Sequence, residues 1–167
     1  MKMLIQFCFT AIVLTLILAG CKTIRGGGWI NSITGEGKAT FGIDMTCEDS
    51  LYYGEFTYRD NGFKVVMPDG KMRKLDIKAW VDPTEVPCGE SCGANYSEDY
   101  TKYDFTYKAS SDKYGKIGLG TIEFWDADRT EDPSDVDKLC IELKSGPYVP
   151  YLNCGELQGG NLTIYDD

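Results

Sequence analysis

Lys38-Ala39-Thr40-Phe41-Gly42-Ile43-Asp44-Met45 is the stretch that decides the fold class. Ala39, Phe41, Ile43 and Met45 fall on alternate positions, with Thr40, Gly42 and Asp44 between them. A period of two places one set on a buried face and the other in water, which is the pattern of a half-buried strand. The same rhythm recurs on the C-terminal side. Tyr52 to Arg59 carries Phe56 and Tyr58 inward, and Phe63, Val65 and Met67 continue the pattern. Leu75, Ile77, Ala79 and Val81 line the next strand, followed by Tyr103, Phe105 and Tyr107. Ile122 and Phe124 share a side within Ile117 to Trp125, and Leu139, Ile141 and Leu143 form a further inner face. Leu157, Leu162 and Ile164 belong to the last strands, and Trp29-Ile30 to a first short one.

The punctuation between these runs is that of turns. Asp60-Asn61-Gly62, Pro68-Asp69-Gly70 and Gly146-Pro147 supply residues that tolerate positive φ or fix φ near −65°. Pro68-Asp69-Gly70 joins its two flanking strands into a hairpin. Gly118 and Gly120 mark a bulge or a close backbone approach. No stretch after residue 20 sustains the 3.6-residue apolar spacing of a helix. About nine short strands therefore predict an all-β fold, an antiparallel β-sandwich, with a small closed β-barrel as the alternative.

The N-terminus reads differently. Met1-Lys2-Met3 is a short basic start, and Leu4 to Leu18 is apolar except for Gln6, Thr10 and Thr15. That run is shorter than the ~20 residues needed to span a bilayer as a helix. Leu18-Ala19-Gly20-Cys21 closes it, and a basic start, a short apolar core and small residues make the layout of a cleavable export signal. The four residues resemble the lipobox of bacterial lipoproteins. That resemblance implies cleavage before Cys21 and a diacylglyceryl group on its thiol. One acyl chain holds weakly and two or three hold durably, at about 0.8 kcal/mol per buried methylene. The resulting division is a signal peptide over 1–20, a lipidated cysteine and short tether over 21–25, and one β-domain over 26–167. Lys22 rather than an aspartate follows the cysteine. In Gram-negative lipoproteins an aspartate there marks inner-membrane retention, so the expected address is a cell envelope, at the outer membrane if Gram-negative.

Charge and cysteine count narrow the function classes. The chain has 17 basic and 26 acidic residues, for a net charge of −9. Lys2 is the leader's only charge, so loss of residues 1–20 leaves 16 against 26, or −10. Such a surface repels nucleic acid. The one basic concentration, Lys71, Arg73, Lys74 and Lys78, straddles both faces of a strand and reads as a solvated edge rather than a phosphate site. There is no histidine, which removes Ser-His-Asp and Cys-His catalysis and His-ligated metals. Cys47, Cys88, Cys92, Cys140 and Cys154 remain once Cys8 leaves with the leader and Cys21 carries lipid. An exported chain is expected to form disulfides, here at most two in any of fifteen arrangements. Cys88-Gly-Glu-Ser-Cys92 is a candidate for local closure because Gly89 and Gly93 permit the turn.

Several further pieces act together: Gly26-Gly27-Gly28-Trp29-Ile30, Gly37-Lys38-Ala39-Thr40-Phe41-Gly42, Phe56-Thr57-Tyr58-Arg59-Asp60 and Gly155-Glu156-Leu157-Gln158-Gly159-Gly160-Asn161-Leu162. With the strand Asp137 to Leu143 between them, they resemble a β-domain of bacterial secreted proteins sometimes labelled post-COAP. The resemblance covers most of residues 26–165, and the Cys88–Cys92 region departs from it. It implies a compact exported β-module and supplies no catalytic residues.

Three constellations are candidates for chemistry. Asp126, Asp128, Glu131, Asp132, Asp135 and Asp137 crowd one loop and are candidate calcium ligands, since calcium takes six to eight oxygens, although the spacing is not that of an EF-hand. The bland reading is a solvated acidic loop. Tyr96, Tyr100, Tyr103, Phe105, Tyr107 and Tyr114 form an aromatic group suited to a glycan or protein ligand. Tyr103, Phe105 and Tyr107 share a strand face and read first as core, which leaves Trp125 as the aromatic expected to be exposed. Glu123 and Asp126 are the candidate pair for a glycosidase-like hydrolase. The expectation overall is a lipid-anchored binding or structural module, with a small carboxylate-dependent hydrolase as the alternative.

Overall fold

The computed structural model describes residues 22–48, 51–67, 69–81, 100–110, 117–127 and 135–166. The leader, Cys21 and the 82–99 segment with Cys88 and Cys92 lie outside the described residues, as do Asp128, Glu131 and Asp132. Among the described residues nine strands follow one another: β1 (Lys22–Asn31), β2 (Lys38–Glu48), β3 (Leu51–Val66), β4 (Met72–Trp80), β5 (Tyr100–Ala109), β6 (Ile117–Trp125), β7 (Lys138–Leu143), β8 (Tyr151–Glu156) and β9 (Gly159–Asp166). The all-β, antiparallel expectation of about nine strands holds. The strands form one continuous sheet, in the order β8-β7-β6-β5-β4-β3-β2-β1-β9, and this sheet is strongly curled. Its first eight strands form a meander of sequence neighbours. Only β9 breaks the order, returning to pair with β1.

Two elements differ from the sequence reading. β1 begins at Lys22, so residues 22–25, expected as a tether, belong to the sheet. Lys22 faces Asp166 across β9, and Ile24 and Arg25 face Met45 and Asp44 across β2. The sequence hid this because Gly26-Gly27-Gly28 interrupts the apolar alternation. Asp60-Asn61-Gly62 is no hairpin turn but a bulge inside β3. Asp60 pairs with Leu75 and Lys64 with Lys74, so four steps on β3 match one on β4. The Asp60 Oδ1 accepts hydrogen bonds from Gly62 N at 2.9 Å and Phe63 N at 3.1 Å. An aspartate folding back onto the next amides gives the local geometry of a turn without reversing the chain. The expected hairpin between β3 and β4 is present, with Gly70 at φ 75° and its N–H on the Met67 carbonyl, while Pro68 lies outside the described residues.

The inner face carries the core. Ile24, Ala39, Met45, Tyr58, Leu75, Ile77, Phe124, Leu139 and Leu162 are fully buried. Phe56 and Phe105 meet edge to face at 4.7 Å between centroids. Gly118 and Gly120 are resolved in favour of close approach. They face Tyr107 and Phe105 across the ladder, and those two rings lie where a Cβ would stand. A large ring opposite a residue with no side chain fills the curled interior without forcing the strands apart.

The outer face is mainly polar, although Leu119 and Leu152 are exposed on it, and it is laced by cross-strand ion pairs. Arg25–Asp44, Arg59–Asp76 and Lys102–Glu123 join register partners at 3.0, 3.4 and 2.6 Å. Such exposed pairs are each worth about 0–1 kcal/mol and chiefly mark this face as the wet one. A transmembrane barrel shows the inverse distribution, with an apolar exterior.

Gly120→Ala is expected to destabilise the fold by about 1–3 kcal/mol, the usual cost of overpacking. Urea unfolding measures this, and an unchanged midpoint would show that the Phe105 ring is free to move aside.

Candidate functional site

The acidic loop resolves into a structural role for two of its members. Asp126, just past β6, is fully buried, and Asp137, just before β7, is nearly so. Their carboxylates accept hydrogen bonds from β9. Ile164 N donates to Asp126 Oδ2 at 2.7 Å, and Leu162 N donates to Asp137 Oδ2 at 2.8 Å. Asp137 also takes Ala127 N at 2.9 Å through Oδ1 and Leu157 N at 2.8 Å through its carbonyl. Leu162 and Ile164 are two apart, so their amides point to the same side of β9, away from β1. The two aspartates thus satisfy the edge that the ladder leaves open. Asp135 is exposed. Of the six candidate calcium ligands, the two whose contacts are described point inward onto backbone amides. Among the described residues no group of three or more acidic or cysteine side chains is arranged to hold a metal ion.

A second polar cluster crosses the interior. Tyr151 donates to Asp60 Oδ2 at 2.8 Å, and its hydroxyl lies 2.6 Å from that of Tyr58. Asn153 Nδ2 reaches both the Tyr58 hydroxyl and the Asn31 carbonyl at 3.0 Å. These contacts tie β8 to β1 and β3 across the curl. Burial raises the pKa of Tyr58 well above the ordinary phenol, against the lowering effect of its hydrogen bonds to Tyr151 and Asn153. Burial likewise raises Tyr151, reinforced by Tyr58 and Asp60. Burial pushes Tyr107, which donates to the Ser145 carbonyl at 2.6 Å, up to about 12. The cluster is closed on itself and braces the fold. Sequence reasoning missed it because Asp60 sits in a turn-like tripeptide and Tyr151 and Asn153 follow a proline-rich turn.

The other candidates are dispersed. Tyr103, Phe105 and Tyr107 are core, in line with their alternation. Trp125 ends β6 half-buried, opposite Tyr100 and Lys138. Glu123 lies on the outer face bonded to Lys102, whereas Asp126 is buried, so the pair expected for glycoside hydrolysis does not converge on a common cleft. Cys140 and Cys154 are register partners on β7 and β8 with Cα atoms 4.0 Å apart, and they form a disulfide.

Among the described residues, one place open to a ligand is on the outer face. Thr40, Thr57, Arg59 and Asp76 wall a depression of about 310 Å³ on the outer face of β2, β3 and β4, over Gly42. Thr40 Oγ1 donates to the Arg59 carbonyl at 3.4 Å. The walls offer hydroxyls, a guanidinium and a carboxylate, a set suited to a polar partner. The chain matches no family model, no curated protein and no solved structure. The functional reading therefore stands on the residues and their geometry.

The tyrosine shifts give a pH dependence. A phenol whose folded pKa is raised contributes fully below its unfolded value of about 10 and loses that contribution as pH rises through the folded value. Stability is expected to hold up to about pH 10 and to fall between pH 10 and 12. Tyrosinate absorbance followed beside circular dichroism should show Tyr58, Tyr107 and Tyr151 ionising only as the fold is lost. Ionisation of all tyrosines near pH 10 with the fold intact would contradict their burial.

Proposed function

We propose that this chain is a lipid-anchored protein of the bacterial cell envelope, acting as a binding or structural module. The observation that carries the reading is the lipobox-like Leu18-Ala19-Gly20-Cys21 standing one residue ahead of a strand that starts at Lys22. With no spacer between them, an acylated Cys21 would hold the β-domain directly against the leaflet. β1, β2 and β3 alternate in direction, so the Asn31 end of β1 and the Val66 end of β3 would lie on the side away from the anchor.

Three further features support the reading. The Cys140–Cys154 disulfide suits an oxidising compartment. The polar outer face suits a domain that stands in water beside a membrane. The inner face is occupied by aromatic and aliphatic side chains, so a ligand would meet the outer face or the loops rather than a lumen. The resemblance to the post-COAP-type secreted β-domain points the same way, and Lys22 after the cysteine favours the outer membrane in a Gram-negative host.

Mass spectrometry of the N-terminal peptide from the native host tests the anchor. The expected species begins at Cys21, carries acyl mass, and becomes unprocessed in Cys21→Ser. An unmodified Cys21, or a leader still attached, would overturn the reading.

A further inference from the structure

Among the described residues only two aromatic side chains are exposed, and both stand at the same end of the sheet. Tyr53 and Tyr165 are 39% and 47% exposed, whereas Tyr58, Tyr103, Tyr107, Tyr148 and Tyr151 are buried. The strand registers place the two exposed rings in one row. Tyr165 of β9 faces Thr23 of β1. The Thr23 and Thr46 hydroxyls lie 3.3 Å apart, and Thr46 of β2 faces Tyr53 of β3. The row crosses four adjacent strands, so the rings stand about 14 Å apart along the sheet, three strand spacings. By the period of two, Tyr53 shares the outer face with Glu55, and Tyr165 shares it with Thr163.

Single exposed aromatics are ordinary on a protein surface. What sets these two apart is where they stand. Thr23, between them, follows Cys21 by two residues, about 7 Å along an extended strand. The acids next to the row, Asp44 and Glu55, are paired with Arg25 and Lys78. The row is therefore close to neutral in a chain whose net charge is −9. A tyrosine ring has an apolar body and a polar tip, and it settles at the headgroup level of a bilayer. An acidic chain is repelled by anionic headgroups, so a neutral row of this kind suits zwitterionic ones.

We propose that Tyr53 and Tyr165 seat in the zwitterionic headgroup layer of the leaflet that holds Cys21. The β-domain then leans onto the outer face of β9, β1, β2 and β3 instead of standing upright on its first strand. Acyl chains on one residue fix a point and leave the domain free to tilt and turn. Cys21 and the two rings make three points, which define a plane and hold the outer face of β6 toward water. This rests on the anchor reading above and deepens it by naming the surface that meets the membrane.

The test uses the processed chain, its acylation confirmed by mass, labelled with fluorotyrosine and placed in phosphatidylcholine nanodiscs. Tyr53→Phe and Tyr165→Phe assign the two fluorine resonances. A nitroxide carried on the lipid headgroup is expected to broaden both at least about threefold more than the resonances of buried Tyr58 and Tyr151. A water-soluble gadolinium chelate is expected to broaden them no more than it broadens those buried rings. Either ring open to the chelate, or no closer to the nitroxide than Tyr58, on a chain with acylated Cys21, would overturn the seat and leave the anchor standing. A bare Cys21 would overturn the anchor reading and this inference with it.

Discussion

Two buried carboxylates complete the sheet. A curled sheet of nine strands has two edges, and each presents unpaired amides and carbonyls that water or another chain would otherwise take. At β9 the amides of Leu162 and Ile164 belong to buried residues, so water is not an adequate partner. Asp126 and Asp137 supply the acceptors, projected from the end of β6 and the start of β7. Buried carboxylates are costly unless hydrogen-bonded, and here the need of each group answers that of the other. The consequence reaches beyond the edge: β9 pairs with β1, so holding β9 to the β6–β7 end bends the meander and brings Asn153 of β8 within hydrogen-bond reach of the Asn31 carbonyl on β1. The Asp60–Tyr151–Tyr58–Asn153 cluster then locks the same curl from within.

The strand rhythm was the most legible part of the chain. Phe41, Ile43 and Met45, or Leu139, Ile141 and Leu143, alternate so cleanly that their burial follows from period two alone. Legibility failed where a local signal had two meanings. Asp60-Asn61-Gly62 has the chemistry of a turn, and the structure uses that chemistry to make a bulge, because the strand continues on the far side and pairs with β4. Gly26-Gly27-Gly28 looks like the opening of the domain after a tether and is the middle of β1, pressed against β9 at close range. Whether nine alternating strands make two sheets or one curled sheet is a matter of which edges meet, and alternation carries no information on that. The acidic loop was the sharpest case. Six acids in a row of twelve positions suggest a cation, while Asp126 and Asp137 are distinguished from their neighbours only by what lies opposite them in space.

The same division shapes the functional account. Among the described residues, interior positions are packed with side chains or bonded to one another. The outer face, among the same residues, carries hydroxyls and paired charges, and Glu123 and Asp126 do not converge on one point. The domain is stapled by Cys140–Cys154, and the proposed acylation of Cys21 would hold it against a membrane.

The central claim is that side chains close the edge of β9 at Leu162 and Ile164, through Asp137 and Asp126. Amide hydrogen exchange at Leu162 and Ile164 tests it most directly. The account predicts that both amides are protected to the level of core residues such as Ile77 and Ile141, and that Asp126→Ala and Asp137→Ala release Ile164 and Leu162 respectively. Exchange at both sites as fast as in an unpaired edge strand, in the unaltered chain, would contradict it.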